Sequence, residues 1–203
     1  MDWDTVVSTK EYARLHYSSS LDRGFDNLLY IAPWIKEKVP ELTIHSYYGM
    51  DGWRIAAASR NDTEGLRQID SLEKQIESMK EYVFFHGRLT QPELAKEWAK
   101  AYIWLYPTNF SETYCLTACE AQLSATPIVC SNLAALETTV GEYGMRVMHH
   151  PYSREGRQFF IDYTIQLCTQ REQWEKWSKK SYEGALRRFS WQERFEDFWQ
   201  PWC

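Results

Sequence analysis

The sequence predicts an α/β fold, in which a parallel sheet with flanking helices is followed by an α-helical tail. From about residue 13 to residue 150, short runs rich in β-branched and aromatic residues alternate with longer amphipathic or small-residue stretches. This alternation is typical of strands and crossover helices. After residue 150 only helical patterns remain. The length of 203 residues suits one domain, since compact domains run roughly 100 to 200 residues.

Six short segments have the composition of strands. Most of them carry apolar residues on both faces, which indicates strands that helices cover on two sides. The predicted strands are residues 13–17, 42–48, 82–86, 103–106, 128–130 and 145–148.

The segments between these strands show helical periodicity. One stripe of the first segment includes Leu28 and Ile35, and this helix allows a kink at Pro33 and ends before Pro40. The third begins with Pro92 near its first turn, where the missing amide hydrogen costs least. The predicted helices are residues 25–38, 63–80 and 91–101.

We assign residues 1–150 to the sheet core and residues 151–203 to the tail. Helices are predicted over 158–169 and 171–189, and Ser190 with Glu193 forms a capping box for a last helix. Five of the ten tryptophans follow residue 170, and they cover the sheet or face a partner domain. Composition and periodicity leave both alternatives open.

Composition excludes several classes of protein. A net charge of −5 argues against a broad basic surface for nucleic acid. No segment has the roughly 18 apolar residues of a membrane span, and the first residues lack the pattern of a secretory signal. The odd number of scattered cysteines fits free thiols, so we expect a cytoplasmic protein. These are Cys115, Cys119, Cys130, Cys168 and Cys203.

An anion site is predicted over residues 107–120, where a strand is followed by a polar turn and a helix of small residues. The backbone amides near Tyr114, Cys115 and Leu116 are first-turn donors at the positive end of the helix, where a diphosphate is stabilised. Glu120 lies over a turn further on and offers two oxygens to the paired hydroxyls of a ribose. Glu112 precedes the helix on the rim. The spacing of these two glutamates alone does not distinguish ligands from solvated surface charges.

Several further motifs follow one another in a specific order. They are Ser18-Ser-Ser-Leu-Asp-Arg-Gly24, Phe85-His-Gly-Arg-Leu89, Tyr106-Pro107, Thr126-Pro-Ile-Val129 and Leu133-Ala-Ala-Leu-Glu137. With the glutamate pair, they resemble the C-terminal half of the family-4 (group 1) retaining glycosyltransferases with the GT-B fold, from about Arg14 to the end. The resemblance implies a single Rossmann-like domain that binds the donor.

The resemblance also implies roles for individual residues. Glu112 contacts the donor sugar, Glu120 the ribose and Arg23 the phosphates, whose charge it can neutralise as the diphosphate departs. Without the family resemblance, the alternative interpretation of Arg23 is a surface arginine ahead of a helix. Gly24 allows a close backbone approach or simply an easy turn.

The loop of His86, Gly87 and Arg88 lies beside the nucleotide base in similar proteins, at the sheet edge where ligands of α/β folds collect. The alternative interpretation of His86 is a structural residue, because a histidine at a strand end commonly has its hydrogen bonds satisfied within the protein. Two positions depart from the family. Ser18 stands where many relatives have a second basic residue, and Cys115 stands where a glycine is frequent.

The expected function is retaining transfer from a nucleoside-diphosphate sugar to an acceptor hydroxyl, without a metal or another cofactor. The family implies a separate acceptor-binding domain or chain. The alternative is a non-catalytic nucleotide-sugar-binding or interaction module, one half of a split or truncated enzyme. A dinucleotide-dependent redox enzyme is disfavoured because no G-x-G-x-x-G opens the first helix. Cys115 and Cys119 are expected to be core residues, since a zinc site needs further ligands.

Overall fold

The computed structural model describes residues 2–189, which fold into one α/β domain. Its strands are β1 (Arg14–Tyr17), β2 (Thr43–Ser46), β3 (Val83–Phe85), β4 (Ile103–Tyr106), β5 (Ile128–Ser131) and β6 (Met145–Val147). Its helices are α1 (Trp3–Val7), α2 (Phe25–Lys38), α3 (Asp51–Ser59), α4 (Thr63–Ser78), α5 (Gln91–Lys100), α6 (Leu116–Leu123), α7 (Leu136–Thr139), α8 (Arg154–Thr169) and α9 (Arg171–Phe189), with a 3₁₀ turn at Gly141–Tyr143.

The six strands form one parallel sheet in the order β3-β2-β1-β4-β5-β6. This order confirms the predicted Rossmann-like architecture. The chain runs outward from β1 to β3 and then returns to place β4 against the other side of β1. Ligands of such sheets bind at this reversal, outside the carboxyl ends of the strands. The loops after β1 and β4 therefore meet at the predicted binding edge.

One sheet face carries polar side chains on β1 and β2, whereas most strands were predicted to be apolar on both faces. Register places His16 of β1 opposite His45 of β2, and both are buried. His16 stacks on Trp98 of α5 with ring centroids 3.6 Å apart. Arg14, on the same face, forms an ion pair with Glu97 of α5. Helix α5 thus packs through aromatic and charged contacts, and β1 and β2 are exceptions to the two apolar faces predicted for most strands.

Three helices of the described chain lie outside the predictions. Helix α1 has five residues, too few to show periodicity, and the Asp2 carboxylate caps it by accepting from the Thr5 amide at 2.8 Å. Helices α3 and α7 are also short. Helix α8 begins at Arg154, four residues before the predicted start, because the Ser153 hydroxyl caps it by accepting from the Gly156 amide at 3.0 Å.

The two helices after residue 150 pack against the sheet domain. Helix α8 contacts α2 and the strands β4 to β6, and α9 contacts α6. Trp174 of α9 is fully buried, and its indole nitrogen donates to the Tyr102 carbonyl at 2.8 Å. For Trp174, covering the sheet is therefore the correct alternative. The predicted last helix, with Trp191, Trp199 and Trp202, lies outside the described residues.

No helix among residues 2–189 is both long and apolar enough to cross a membrane. The longest, α9, carries charged residues throughout its length.

Candidate functional site

The loops after β1 and β4 touch at Gly24. This residue has φ +97° and caps the N-terminus of α2. A Cβ atom here would lie 2.6 Å from the Pro107 carbonyl oxygen and 2.9 Å from Thr108 Cα. Gly24 therefore serves both predicted purposes, because the backbone needs a left-handed turn and the two loops approach without room for a side chain.

Asn27 fixes the same junction from within α2. Its side-chain amide donates to the carbonyls of Pro107 at 3.2 Å and Pro151 at 2.9 Å. Its oxygen accepts from Arg157 Nε at 2.8 Å. This fully buried asparagine thus ties the loop after β4 to the start of α2 and to the segment before α8.

Arg23 and Glu112 form an ion pair across this junction. Arg23 Nη1 lies 3.1 Å from Glu112 Oε1 and 3.2 Å from Oε2. The Tyr106 hydroxyl, from the last residue of β4, donates to Glu112 Oε1 at 2.6 Å. Burial and this hydrogen bond raise the pKa of Tyr106, so the phenol stays protonated as a donor. The Glu112 carboxylate is therefore held on two sides by donors.

Glu112 was predicted to lie on the rim, and this prediction is wrong because its side chain is buried. Its side chain is 8% exposed, whereas that of Arg23 is 33% exposed. The Arg23 guanidinium also lies over the Phe110 ring, 4.0 Å from its centroid. Burial lowers the pKa of Arg23, but the charges of Glu112, Tyr106 and Asp22, with the hydrogen bond to Glu112, together raise it more, so the net shift is upward. The Arg23 guanidinium is therefore the more exposed partner of the pair, and the Glu112 carboxylate lies buried beneath it.

Helix α6 begins at the predicted turn. Cys115 is its N-cap with φ +66°, and Leu116 is its first residue. The amides of Leu116 and Thr117 belong to the first turn, where helix geometry supplies no intrahelical acceptor. The Thr139 hydroxyl donates to the Tyr114 carbonyl at 2.6 Å and fixes the turn from behind. Of the amides predicted to be first-turn donors, that of Leu116 lies in the first turn, whereas those of Tyr114 and Cys115 precede the helix because it begins at Leu116. Anion binding at this helix start stays a prediction.

The cysteine at the cap is not poised for chemistry. Its side chain is buried, and burial raises the pKa of the Cys115 thiol to about 12. A thiol with this pKa is protonated at neutral pH and is a weak nucleophile. Cys115 is accommodated in the left-handed conformation that suits the glycine frequent in relatives.

Glu120 lies midway along α6 and borders two cavities. One cavity, of about 570 Å³, separates α6 from α5 and α1, and Trp98 and Leu123 line it. The other, of about 700 Å³, includes Tyr114 and Leu116. Gln91, at the start of α5, lines both.

The environment of Glu120 is partly dry. Trp98 Nε1 donates to Glu120 Oε2 at 3.2 Å. Burial nevertheless raises the pKa of the carboxyl, because one hydrogen bond does not replace the lost hydration. Glu120 thus keeps one oxygen without a described partner. The cavity of about 700 Å³, here called the groove between α5 and α6, has the size of a small-ligand site.

The loop after β3 is exposed beside β2. His86 Nε2 lies 2.9 Å from Nδ1 of His45, and its ring stacks on Tyr47 with centroids 4.8 Å apart. Gly87 has φ +70° with open space around it, and the Arg88 guanidinium lies 5.6 Å from the Tyr48 ring centroid. None of the three residues lines the described cavities beside Glu120. The structure therefore brings Gln91, rather than His86, to Glu120.

Sequence reasoning missed the residues that hold the two glutamates. Tyr106 is part of the Tyr106-Pro107 motif, but no role was predicted for its phenol. Trp98 lies in a predicted helix without a polar signal, and Asn27 on a predicted helix that faces the core. At Ser18, the position without the second basic residue, the hydroxyl is buried and has no partner among the described residues.

Comparison with sequence profiles of known families identifies the family of this chain. The sequence profile described as glycosyl transferases group 1 matches residues 24–156. The chain belongs to this family. The members of this family transfer glycosyl groups. Compared by sequence with curated proteins, the chain has no match.

Solved glycosyltransferase structures share the fold. The C-terminal domain of the group 1 protein LpcC from Francisella tularensis is 15% identical, with a TM-score of 0.66, and the alignment covers 94% of this chain and 92% of that one. Sucrose-phosphate synthase from Thermosynechococcus elongatus is 20% identical, with a TM-score of 0.68 over 93% of this chain and 44% of the other. The pneumococcal O-GlcNAc transferase GtfA, in complex with UDP and GlcNAc, is 19% identical, with a TM-score of 0.63 over 88% and 33%.

These comparisons place the chain as the C-terminal domain of the GT-B fold. It spans about a third of the length of TarM and GtfA. At these identities the structural likeness shows the fold, and the family follows from the sequence profile.

Proposed function

We propose that this glycosyltransferase domain binds a nucleoside-diphosphate sugar and presents it for retaining, metal-independent transfer to an acceptor hydroxyl. The observation that carries the proposal is the Arg23–Glu112 pair, which joins the loops after β1 and β4 at the reversal of strand order. The similar fold of GtfA, solved with UDP and GlcNAc, supports a nucleotide sugar as the ligand class.

The diphosphate would be held by Arg23 and by the start of α6. Arginine has five N–H donors, and the contacts to Glu112 use only Nη1. The remaining donors and the first-turn amides of Leu116 and Thr117 supply positive charge from two directions. The developing charge of a departing diphosphate can be met by these groups without a metal ion.

Glu112 would accept from a hydroxyl of the donor sugar. A carboxylate has about four lone-pair sites. Arg23 and Tyr106 occupy part of them and fix the plane of the carboxylate. A sugar hydroxyl bound to such an oriented acceptor is held in one position, which favours reaction over mere binding.

Glu120 would accept from the ribose hydroxyls, with the nucleoside in the groove between α5 and α6. Gln91 lines this groove, and the predicted base contacts of His86, Gly87 and Arg88 belong to the loop that leads into α5. The groove would thus hold the nucleoside, while Arg23 and Glu112 hold the reacting end.

In the transfer, the bond from the anomeric carbon to the diphosphate oxygen breaks, and a bond to the acceptor oxygen forms on the same face. The leaving phosphate takes up the acceptor proton. We propose that a separate acceptor-binding domain or chain completes the cleft. The likeness to a chain of the GtfA/B complex is consistent with such a partner.

A cytoplasmic location is part of this proposal. The described cysteines Cys115, Cys119, Cys130 and Cys168 are buried free thiols. Such thiols suit a reducing compartment.

Calorimetric titration with UDP, GDP, ADP and their sugars tests the proposal. We expect one nucleoside diphosphate to bind, and Glu120→Ala to weaken it about 10- to 100-fold, since hydrogen bonds to charged groups contribute roughly 1.5–3 kcal/mol. Glu183→Ala, an exposed glutamate on α9, is the matched control and should bind as the wild type does.

Two outcomes of this titration contradict parts of the proposal. If no nucleotide binds at millimolar concentration, the donor site is wrong. If binding occurs and Glu120→Ala leaves the affinity unchanged, the ribose assignment fails. Binding without transfer, when acceptor-binding partners are supplied, would favour the non-catalytic alternative.

A further inference from the structure

A second polar cavity, of about 500 Å³, opens beside the Arg23–Glu112 junction. It lies between α2, α3, α4 and the loop after β4, away from the groove at Glu120. Its volume is in the range of roughly 300–1,000 Å³ that is typical of small-ligand sites. The residues relevant to its chemistry are Asp22, Asp26, Trp53, Gln75, Asn109 and Tyr152.

The walls combine aromatic rings with hydrogen-bonding groups. Trp53 is half-buried and packs against the core with part of its indole at the cavity. The Tyr152 hydroxyl donates to Asp26 Oδ1 at 2.7 Å, which fixes the phenol against the start of α2. Aromatic side chains of this kind offer a flat apolar surface next to polar groups.

Several polar groups at the cavity are unused. Among the described residues, the side chains of Asp22, Gln75 and Asn109 have no hydrogen-bonding partner. The carboxylate accepts only, whereas the two amides both donate and accept. A ligand that carries many hydroxyl groups, each a donor and an acceptor, can use all three.

The charge of the cavity selects against anions. Asp22 and Asp26 are acidic, and no lysine or arginine is among the described residues that line it. Arg23 interacts with the charge of Asp22, but it pairs with Glu112 and does not line the cavity. A phosphate or an acidic sugar would therefore meet two carboxylates and no cation among the described lining residues. The fitting class is a neutral sugar ring, with its C–H face against an aromatic ring and its hydroxyls toward the carboxylates and amides.

We propose that this cavity is a carbohydrate subsite for a neutral glycosyl residue of the acceptor. Asp22 directly precedes Arg23, and Asn109 stands three positions before Glu112 on the same loop. The occupant would therefore lie next to the donor sugar without sharing its contacts. This inference rests on the proposed function, because it takes the Arg23–Glu112 junction as the reacting end.

Saturation-transfer NMR with the methyl α-glycosides of glucose, galactose, mannose and N-acetylglucosamine tests the subsite. Each is used at about 10 mM, because single glycosyl residues bind in the millimolar range. We expect at least one to bind, Trp53→Ala to weaken it at least tenfold and Gln75→Ala about fivefold. Trp34→Ala, an exposed tryptophan of α2 away from the cavity, is the control and should change nothing.

The same samples separate this inference from the proposed function. If nucleoside diphosphate binds but none of the glycosides does, the subsite is wrong and the donor site stands. If a glycoside binds equally to Trp53→Ala and Gln75→Ala, the cavity is not its site. If Glu112→Gln alone abolishes glycoside binding, the sugar occupies the donor position and the acceptor subsite is overturned. Gln75→Ala keeps the test valid if Trp53→Ala does not fold.

Discussion

The two glutamates of the site differ in what holds them. Glu112 is buried and contacts Arg23 and Tyr106, so its charge is compensated before any ligand arrives. Glu120 has one indole donor, and burial raises the pKa of its carboxyl. The first residue is therefore part of the loop junction, while the second is an incompletely solvated carboxylate that a ribose would satisfy.

Glu120→Gln should raise stability while weakening nucleotide binding. The pKa of the folded state is raised above the ordinary value of 4.5, so the stability contributed by the protonated form is lost as pH rises through the raised pKa. At neutral pH the partly buried negative charge of Glu120 destabilises the folded state, and glutamine removes this charge. The amide oxygen of glutamine can still accept from Trp98. Thermal unfolding at pH 7 and pH 4 measures this.

We expect a higher melting temperature for the variant at pH 7 and little difference at pH 4. A lower melting temperature at pH 7 would show that the Glu120 carboxylate stabilises the fold, which would contradict this prediction. Glu183→Gln is the control, with an exposed side chain on α9.

Gly24→Ala should destabilise the protein by about 2–3 kcal/mol, because left-handed backbone strain adds to a contact with Pro107 that cannot form without movement. Gly87→Ala is a matched control: its φ is also positive, at +70°, but its Cβ would meet open space. We expect it to cost about 1 kcal/mol. Equal losses in urea unfolding would contradict the close approach of the loops after β1 and β4.

At the scale of elements, α5 is held to the sheet by an unusual set of contacts. Arg14 of β1 donates to the Tyr47 hydroxyl at 2.6 Å and pairs with Glu97 of α5, and Lys100 lies 2.8 Å from the same glutamate. The helix also carries Trp98, which contacts both His16 and Glu120. The position of α5 therefore connects the polar sheet face to the nucleoside groove.

Glu97→Gln should lower stability at pH 7 by about 2 kcal/mol, less than a fully buried pair would lose because the side chain is partly exposed. Burial raises the pKa of Glu97. Hydrogen bonds from Lys100 and Tyr47 and the charge of Arg14 together lower it by more than burial raises it, so the net shift is downward from 4.5. Its stabilisation is therefore present above pH 4.5 and lost as pH falls through the lowered pKa.

Urea unfolding across this pH window gives the test. The difference between the wild type and Glu97→Gln should shrink as pH falls below 4.5. A difference that is independent of pH would assign the loss to packing. Glu64→Gln, with an exposed side chain on α4, should behave as the wild type.

The sequence predicted the sheet and its long helices because strand composition and helical stripes are local signals. Each of the six strands was placed to within a few residues. It did not predict α1, α3 or α7, since such short helices show too little periodicity. The burial of Arg14 and His16 was missed for another reason: Glu97 and Trp98, which they contact, lie on α5, far away in sequence. His45 was missed because its partner His86 follows a different strand.

The site was predictable in part for the same reason. Gly24 and the start of α6 follow from motifs next to strands, and the structure shows the expected turn at each. The burial of Glu112 could not be read from its neighbours, because it depends on Arg23 and Tyr106 arriving from other elements. The binding roles of these residues stay predictions.

At the scale of the whole molecule, we propose three adjacent ligand regions in this domain. The groove at Glu120 would hold the nucleoside, the junction of Arg23 and Glu112 the reacting end, and the cavity at Trp53 a neutral glycosyl residue. The chain spans about a third of the length of TarM and GtfA, whose folds it shares, so transfer itself is proposed for an assembly that includes an acceptor-binding domain or chain.

The crystal structure of the chain with its best-binding nucleoside diphosphate tests the central claim most directly. We expect the diphosphate within hydrogen-bond distance of Arg23 and the amides of Leu116 and Thr117, and the ribose hydroxyls on Glu120. The Arg23–Glu112 pair should stay closed. A nucleotide bound elsewhere, or bound here with its ribose away from Glu120, would contradict the account.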